Sequence, residues 1–220
     1  MTEAVPGAPL AKPRLRGVSH QWAFFVSLAT GTALVAAAPS GEARLAAGIY
    51  ALSVAGLFGT SALYHRITWA SAAARRWMRR LDHSMIFLLI AGTYTPFALL
   101  VLEGTLATVI LAVVWAGALG GVVLKLTWID APKPLIAVIY VALGWVAVAA
   151  FPDLIDGVGW GPTALVAVGG LLYTLGAVVY AVRRPDPVPA VFGYHEVFHA
   201  LVIAAAALQY AVIAFYVIPD

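Results

Sequence analysis

Residues 105–124 read TLATVILAVVWAGALGGVVL, twenty positions without a charge. As a helix this stretch is about 30 Å long, the thickness of a bilayer's hydrocarbon core. A soluble helix of that length keeps a polar face, and this one has none. The run predicts a membrane span near 105–125, and the rest of the chain follows suit. Of its 220 residues, 63% are hydrophobic and 10% charged. Soluble domains average roughly 45–50% and about 25%. A mean hydropathy of +0.94 excludes a soluble globule, a disordered tail and a fibrous repeat. It also excludes a nucleic-acid binder, although the isoelectric point is near 9.3. The chain has no Cys, which removes disulfides, thiolate metal sites and Cys nucleophiles.

Outward from that run, six more apolar stretches predict spans near 17–38, 43–65, 82–102, 134–152, 160–182 and 194–217. The fold class expected is all-α, a polytopic bundle of seven transmembrane helices. Breaks fall at Pro39-Ser40-Gly41, the basic stretch 66–80, Glu103-Gly104, Asp130 to Pro134, Pro152 to Gly161 and Arg183 to Pro189. Residues 1–16, with Lys12, Arg14 and Arg16, read as a basic cytoplasmic tail. The first apolar run is span-length and precedes no more soluble sequence, so it reads as a retained helix rather than a signal peptide. With the N-terminus cytoplasmic, twelve of the thirteen Lys and Arg fall on the inner side and only Arg44 on the outer. This is the positive-inside pattern of a multi-pass cell-membrane protein, with its C-terminus outside. Trp69, Trp77, Trp128 and Trp160 mark span ends, and Gly117 and Gly121 would let helices pack closely.

Ionisable residues are costly in a membrane, and they usually face the bundle interior with a partner. Here they gather at one depth. His20 opens the first span, His65 closes the second, Asp82 and His83 open the third, and His195, Glu196 and His199 open the seventh. His195 and His199 stand four apart, on one helix face. Two imidazoles so placed can ligate one metal ion, and a third His from another span completes a three-nitrogen site with an open position. That is the pattern of catalytic rather than structural zinc. His65, at the same depth, is the best third ligand. Asp82 would hold a water at the metal or ligate it directly. Imidazole suits other transition metals too, so zinc is a preference. Ser61 shares the four-residue spacing with His65 on the second span.

His195 to His199 also fit H-E-x-x-H, a metalloprotease helix pattern in which Glu acts as base. The plainer reading makes Glu196 a helix-start charge. Asp82 next to Arg79 and Arg80 has a plain reading as well, in surface ion pairs. His20 and His83 are read as headgroup-zone residues bonded to water or backbone. The basic stretch 66–80 reads as a loop touching headgroups.

Four ordered motifs carry a resemblance: Ser61-Ala62-Leu63-Tyr64-His65, Leu81-Asp82-His83-Ser84, Ala91-Gly92-Thr93-Tyr94-Thr95-Pro96-Phe97 and Gly193-Tyr194-His195-Glu196-Val197-Phe198-His199. Together they resemble the hemolysin III family, the bacterial branch of the progestin and adipoQ receptors, which include the adiponectin receptors. The wider superfamily also holds alkaline ceramidases. The resemblance implies seven helices, a cytoplasmic N-terminus and zinc near the cytoplasmic face. It implies His65, His195 and His199 as zinc ligands, Asp82 as the acid contacting the water at the metal, and Ser61 as the serine nearby. One departure is clear. Family members often carry Glu shortly before the first-span His, whereas residues 14–19 here contain no acid.

Three functions are open at this point. The first is a zinc-dependent hydrolase of lipid amides or esters, with Asp82 and Ser61 as catalytic residues and an acyl-chain or ceramide-like ligand drawn from the membrane lipids. The second is a non-enzymatic sensor or homeostasis protein with a structural metal. The third is the pore-forming cytolysin the family name suggests, for which the sequence offers no barrel alternation and no polar stripe through the fourth to sixth spans.

Overall fold

Two serines start the helices that carry much of the polar cluster. Ser40 Oγ accepts the Ala43 N–H and Ser71 Oγ accepts the Ala74 N–H, both at 3.1 Å. Each satisfies an amide that a helix leaves unpaired at its beginning. The computed structural model describes residues 12–219. The first eleven residues of the expected tail, and Asp220, lie outside the described residues. Seven helical elements follow in order: α1 (Val18–Ala37), α2 (Gly41–Arg66), α3 (Ala72–Leu100), α4 (Gly104–Thr127), α5 (Lys133–Val158), α6 (Trp160–Val182) and α7 (Tyr194–Val217). Among the described residues, β pairing is limited to one isolated bridge, Val188 to Phe192.

Six of these, α2 to α7, are long and apolar enough to cross a membrane. α1 has twenty residues, but its first turn carries Ser19, His20 and Gln21. Farther along, α1 presents Trp22, Phe25, Val26 and Leu28 outward. Thr30 and Thr32 return their hydroxyls to the carbonyls four residues back, which hides their polarity. α4 to α6 behave similarly, exposing Val113, Leu119, Val123, Val138, Leu171 and Val178. So much contiguous apolar surface marks a face meant for lipid.

The helices pack in chain order, α1 on α2, α2 on α3, α3 on α4, α5 on α6 and α6 on α7. α1 also meets α7, which closes the bundle and brings the first and last helices together. Gly117 and Gly121 do permit close approach: Leu143 of α5 lies against the first and the Phe87 ring of α3 against the second.

Two boundaries differ from expectation. α3 begins at Ala72, so most of the basic stretch read as a loop is helical, and Asp82 and His83 sit ten and eleven residues inside it. Hydropathy locates where a helix becomes apolar, whereas Ala, Arg and Met carry helix well before that point. The extra turns find partners on α4 and just beyond its end. Arg79 pairs with Asp130 at 2.7 Å, and Arg80 donates to the Leu126 carbonyl at 2.9 Å with its guanidinium over Trp77. α5 also outruns its expected end, continuing through Pro152 to Val158 after a 3₁₀ segment, Trp145–Ala150. Tyr94 causes that change of pitch. Its hydroxyl donates to the Gly144 carbonyl (2.5 Å) and accepts the Ala147 N–H (2.6 Å), inserting itself into the α5 ladder.

Two glycines in the bundle differ sharply in surroundings. A Cβ at Gly92 would stand 2.6 Å from Ser53 Cβ, while one at Gly120 would meet nothing within 4 Å. Gly92→Ala is expected to destabilise the protein by about 1–3 kcal/mol. Gly120→Ala is expected to be neutral or to add about 0.5–1 kcal/mol. Thermal unfolding of both variants in one detergent checks the contrast.

Candidate metal centre

The last turn of α2 and the first turns of α7 meet at the end of the bundle that also holds the first turn of α1. His65 Nε2 lies 3.1 Å from His195 Nε2. The ring centroids of His199 stand 4.5 Å from His195 and 5.2 Å from His65. One ligand nitrogen from each of the three lies within 4.8 Å of the others. Two ligands of a tetrahedral zinc, each about 2.0–2.1 Å from the ion, stand about 3.3–3.4 Å apart. The donor set therefore fits a single transition-metal ion. A further sign is that His199 Nδ1 is buried without a hydrogen-bond partner.

Asp82 reaches the cluster from α3, its Oδ2 4.0 Å from His65 Nε2 and 3.4 Å from His83 Nδ1. It is not paired with Arg79 or Arg80, whose partners lie elsewhere. His83 Nδ1 sits 2.8 Å from the Arg79 carbonyl, and its Nε2 is 3.3 Å from the Tyr180 hydroxyl. The backbone partner expected for His83 is present.

His20 departs from the headgroup reading. It is 2% exposed, stacks on His199 with centroids 3.7 Å apart and planes within 10°, and its Nδ1 lies 2.8 Å from Ser61 Oγ. Sequence placed it at the right depth but could not show which way α1 is turned. His20 thus links the triad to Ser61, the second-span serine of the expected site. Gly17, one turn earlier, has φ +81°, and a Cβ there would stand 2.6 Å from His65 Cβ. Only glycine takes that turn so near the ligand without strain.

Glu196 does not face the triad. Its Oε2 accepts the Gly193 N–H (2.8 Å) at the start of α7, and its Oε1 forms a buried ion pair with Arg16. The helix-start reading holds, and the protease-like base reading loses its geometry. Residues 14 and 15 also donate backbone N–H groups to Ala190 and Val191. Residues 14–16 are thereby fastened at the start of α7.

From the cluster a cavity of about 170 Å³ runs between α2, α3, α5, α6 and α7. His20, Ser61, Asp82, His195 and His199 line one end, and Leu102, Ala150 and Leu154 the other. Its wall between is mainly apolar.

A helical membrane bundle with an imidazole triad at one end of an internal apolar cavity is the class that the fold and site define. Comparison with known proteins gives the family. The Haemolysin-III related family matches residues 9–210, and the chain belongs to it. The hemolysin III resemblance is borne out. The chain is 33% identical to the Hemolysin-3 homolog of Bacillus subtilis (strain 168) over 168 residues, 76% of this chain and 75% of that protein. It is 32% identical to Hemolysin-3 of Bacillus cereus over 171 residues, 78% and 74% of the two chains. The human Monocyte to macrophage differentiation factor matches at 26% over 172 residues, 76% and 68%. That likeness extends to the progestin and adipoQ receptor side of the family.

Metal content after purification checks the centre. His65→Ala, His195→Ala and His199→Ala are each expected to bind less than stoichiometric metal. Glu196→Gln is expected to retain metal but to lose about 3–5 kcal/mol of stability, because Arg16 keeps its charge without a partner. Metal loss in Glu196→Gln with stability intact would contradict this division.

Proposed function

We propose that the protein crosses the cell membrane seven times, with residues 1–16 a basic cytoplasmic tail and 17–220 the membrane domain. In this reading α1 is the seventh span and the triad lies near the cytoplasmic face. Twelve of thirteen basic residues on one side support that orientation. The protein acts there as a zinc-dependent hydrolase of a lipid amide or ester.

The observation that carries the chemistry is the position of Asp82. Its carboxylate is 4.0 Å from His65 Nε2, at the end of an apolar cavity where three imidazoles converge. A metal held by His65, His195 and His199 would supply a Lewis acid that polarises a carbonyl and acidifies water. Asp82 takes the proton released at Oδ2, with His83 beside it to fix the carboxylate. Ser61, oriented through His20, offers its hydroxyl to the substrate's polar group. The apolar wall accepts an acyl chain. A peptide there would leave backbone N–H and C=O groups without partners. This favours a ceramide-like amide or a related ester over a protein substrate.

One observation favours a second reading. At 4.0 Å, Asp82 is near enough to become a direct fourth ligand after a small shift. Four protein ligands are the usual structural arrangement. The protein would then be a non-enzymatic sensor or homeostasis protein whose metal ties α2, α3 and α7 together. The names of the Bacillus relatives point to a cytolysin, but the apolar cavity wall suits a lipid occupant better than a water-filled pore.

Metal-loaded protein assayed on ceramide-like amides separates these readings. Asp82→Asn is expected to reduce turnover roughly 10²–10⁴-fold with metal retained, while Glu196→Gln retains turnover. Undiminished turnover in Asp82→Asn refutes the base assignment. No turnover in the wild type, with metal lost from Asp82→Asn, supports the structural-metal reading instead.

A further inference from the structure

Most polar groups on the cavity wall are satisfied within the protein. Thr93 donates to the Leu89 carbonyl (2.8 Å), and Thr174 donates to Gly170 (2.8 Å) while accepting from Trp145 (2.9 Å). Tyr94 is bonded to α5. Among the described residues lining the cavity, buried polar atoms without a partner occur on four side chains only. Two belong to the metal centre, His20 Nε2 and His199 Nδ1. The other two are Gln209 Oε1 and the Tyr173 hydroxyl.

This second pair is far from the first. Gln209 follows His199 by ten residues on α7, which is about 15 Å along the helix axis. Tyr173 precedes Tyr180, whose ring lies 5.9 Å from His195, by seven residues on α6, or about 10 Å. The two helices are close here, since a Cβ on Gly169 would stand 2.6 Å from Gln209 Nε2. Tyr173 lies one turn beyond Gly169 on the same face. The orientation of the Gln209 amide is fixed by chemistry. Its Nε2 donates to the Val166 carbonyl (3.1 Å), and turning the amide over would set two oxygens against each other. Oε1 is therefore an unfilled acceptor on a side chain only 5% exposed. The phenol supplies an unfilled donor.

A donor and an acceptor left open together, deep in an apolar cavity, match a group that both donates and accepts. We propose that Gln209 and Tyr173 form a second polar subsite that holds a hydroxyl on the chain of the bound lipid. The ligand class is a long-chain lipid with one polar group at the metal end and a hydroxyl about 10–15 Å farther along. The inference rests on the proposed lipid site and adds its specificity. A ketone at the same place would satisfy only the Tyr173 donor, and a bare methylene neither group.

Displacement of a fluorescent fatty acid from the purified metal-loaded protein tests this without any turnover. The probes are stearic acid, hydroxystearic acids with the hydroxyl near the carboxylate, at mid-chain or at the far end, and a mid-chain ketostearic acid. The mid-chain hydroxy acid is expected to bind about ten-fold tighter than stearic acid, with the keto acid between them. Gln209→Leu abolishes that preference and Tyr173→Phe reduces it. Equal affinity for stearic and mid-chain hydroxy acids in the wild type overturns the subsite and assigns the pair to a buried water. If none of the acids displaces the probe, the lipid-cavity reading falls with it.

Discussion

Hydrocarbon gives an imidazole or a carboxylate no hydrogen bond, so an ionisable side chain in these spans usually turns to the bundle interior and a partner there. That constraint shapes the bundle. His20 from α1, His65 from α2, Asp82 and His83 from α3, and His195 and His199 from α7 meet at one end and nowhere else. Packing between lipid-exposed helices is weakly directional, because lipid chains are as apolar as the side chains that would leave them. The polar cluster supplies the direction. It fixes which face of α1 turns inward and brings the first and last helices together.

Around the cluster, small residues and one buried ion pair set the distances. Gly17 lets the entering chain pass against His65, and Gly92 lets α3 settle on Ser53 of α2. Arg16 and Glu196 join segments 180 residues apart, and the backbone bonds from residues 14 and 15 to Ala190 and Val191 continue that seam. Residues 14–16 therefore contribute to the placement of the α7 histidines. Here the absence of an acid before His20 becomes intelligible. This chain has Arg16 there, with its opposite charge provided by Glu196.

Composition and runs of apolar residues made the all-helical membrane class legible, since no other fold buries so little polarity over so many positions. The convergence of His65, His195 and His199 was legible too, because the spans that carry them place all three at one depth. Three features were not. The helical start at Ala72 was hidden by its arginines, which register as polar in a hydropathy reading and as helix-forming in a backbone one. The 3₁₀ segment of α5 depends on Tyr94, a hydroxyl about fifty residues away, and no local pattern announces it. The inward turn of His20 depends on the rotation of α1, a helix whose thinly polar sides give rotation little signature.

The place of the triad on α7 poses an electrostatic problem. His195 and His199 lie in the first turns, where the helix dipole amounts to about +0.5 charge and disfavours a cation. Two carboxylates answer it. Glu196 Oε2 accepts the Gly193 N–H, and Asp186 Oδ1 accepts the Tyr194 N–H, both at 2.8 Å. Each brings a full negative charge to the amides that make that end positive. Arg16 offsets part of the charge on Glu196, but Asp186 meets no such partner among the described ion pairs. Asp82 adds a third carboxylate from α3, beside the triad itself. The H-E-x-x-H pattern therefore has a different physical meaning here than on a soluble protease helix. Its glutamate caps the helix start and pairs with Arg16, and the carboxylate beside the triad comes from Asp82 on another helix.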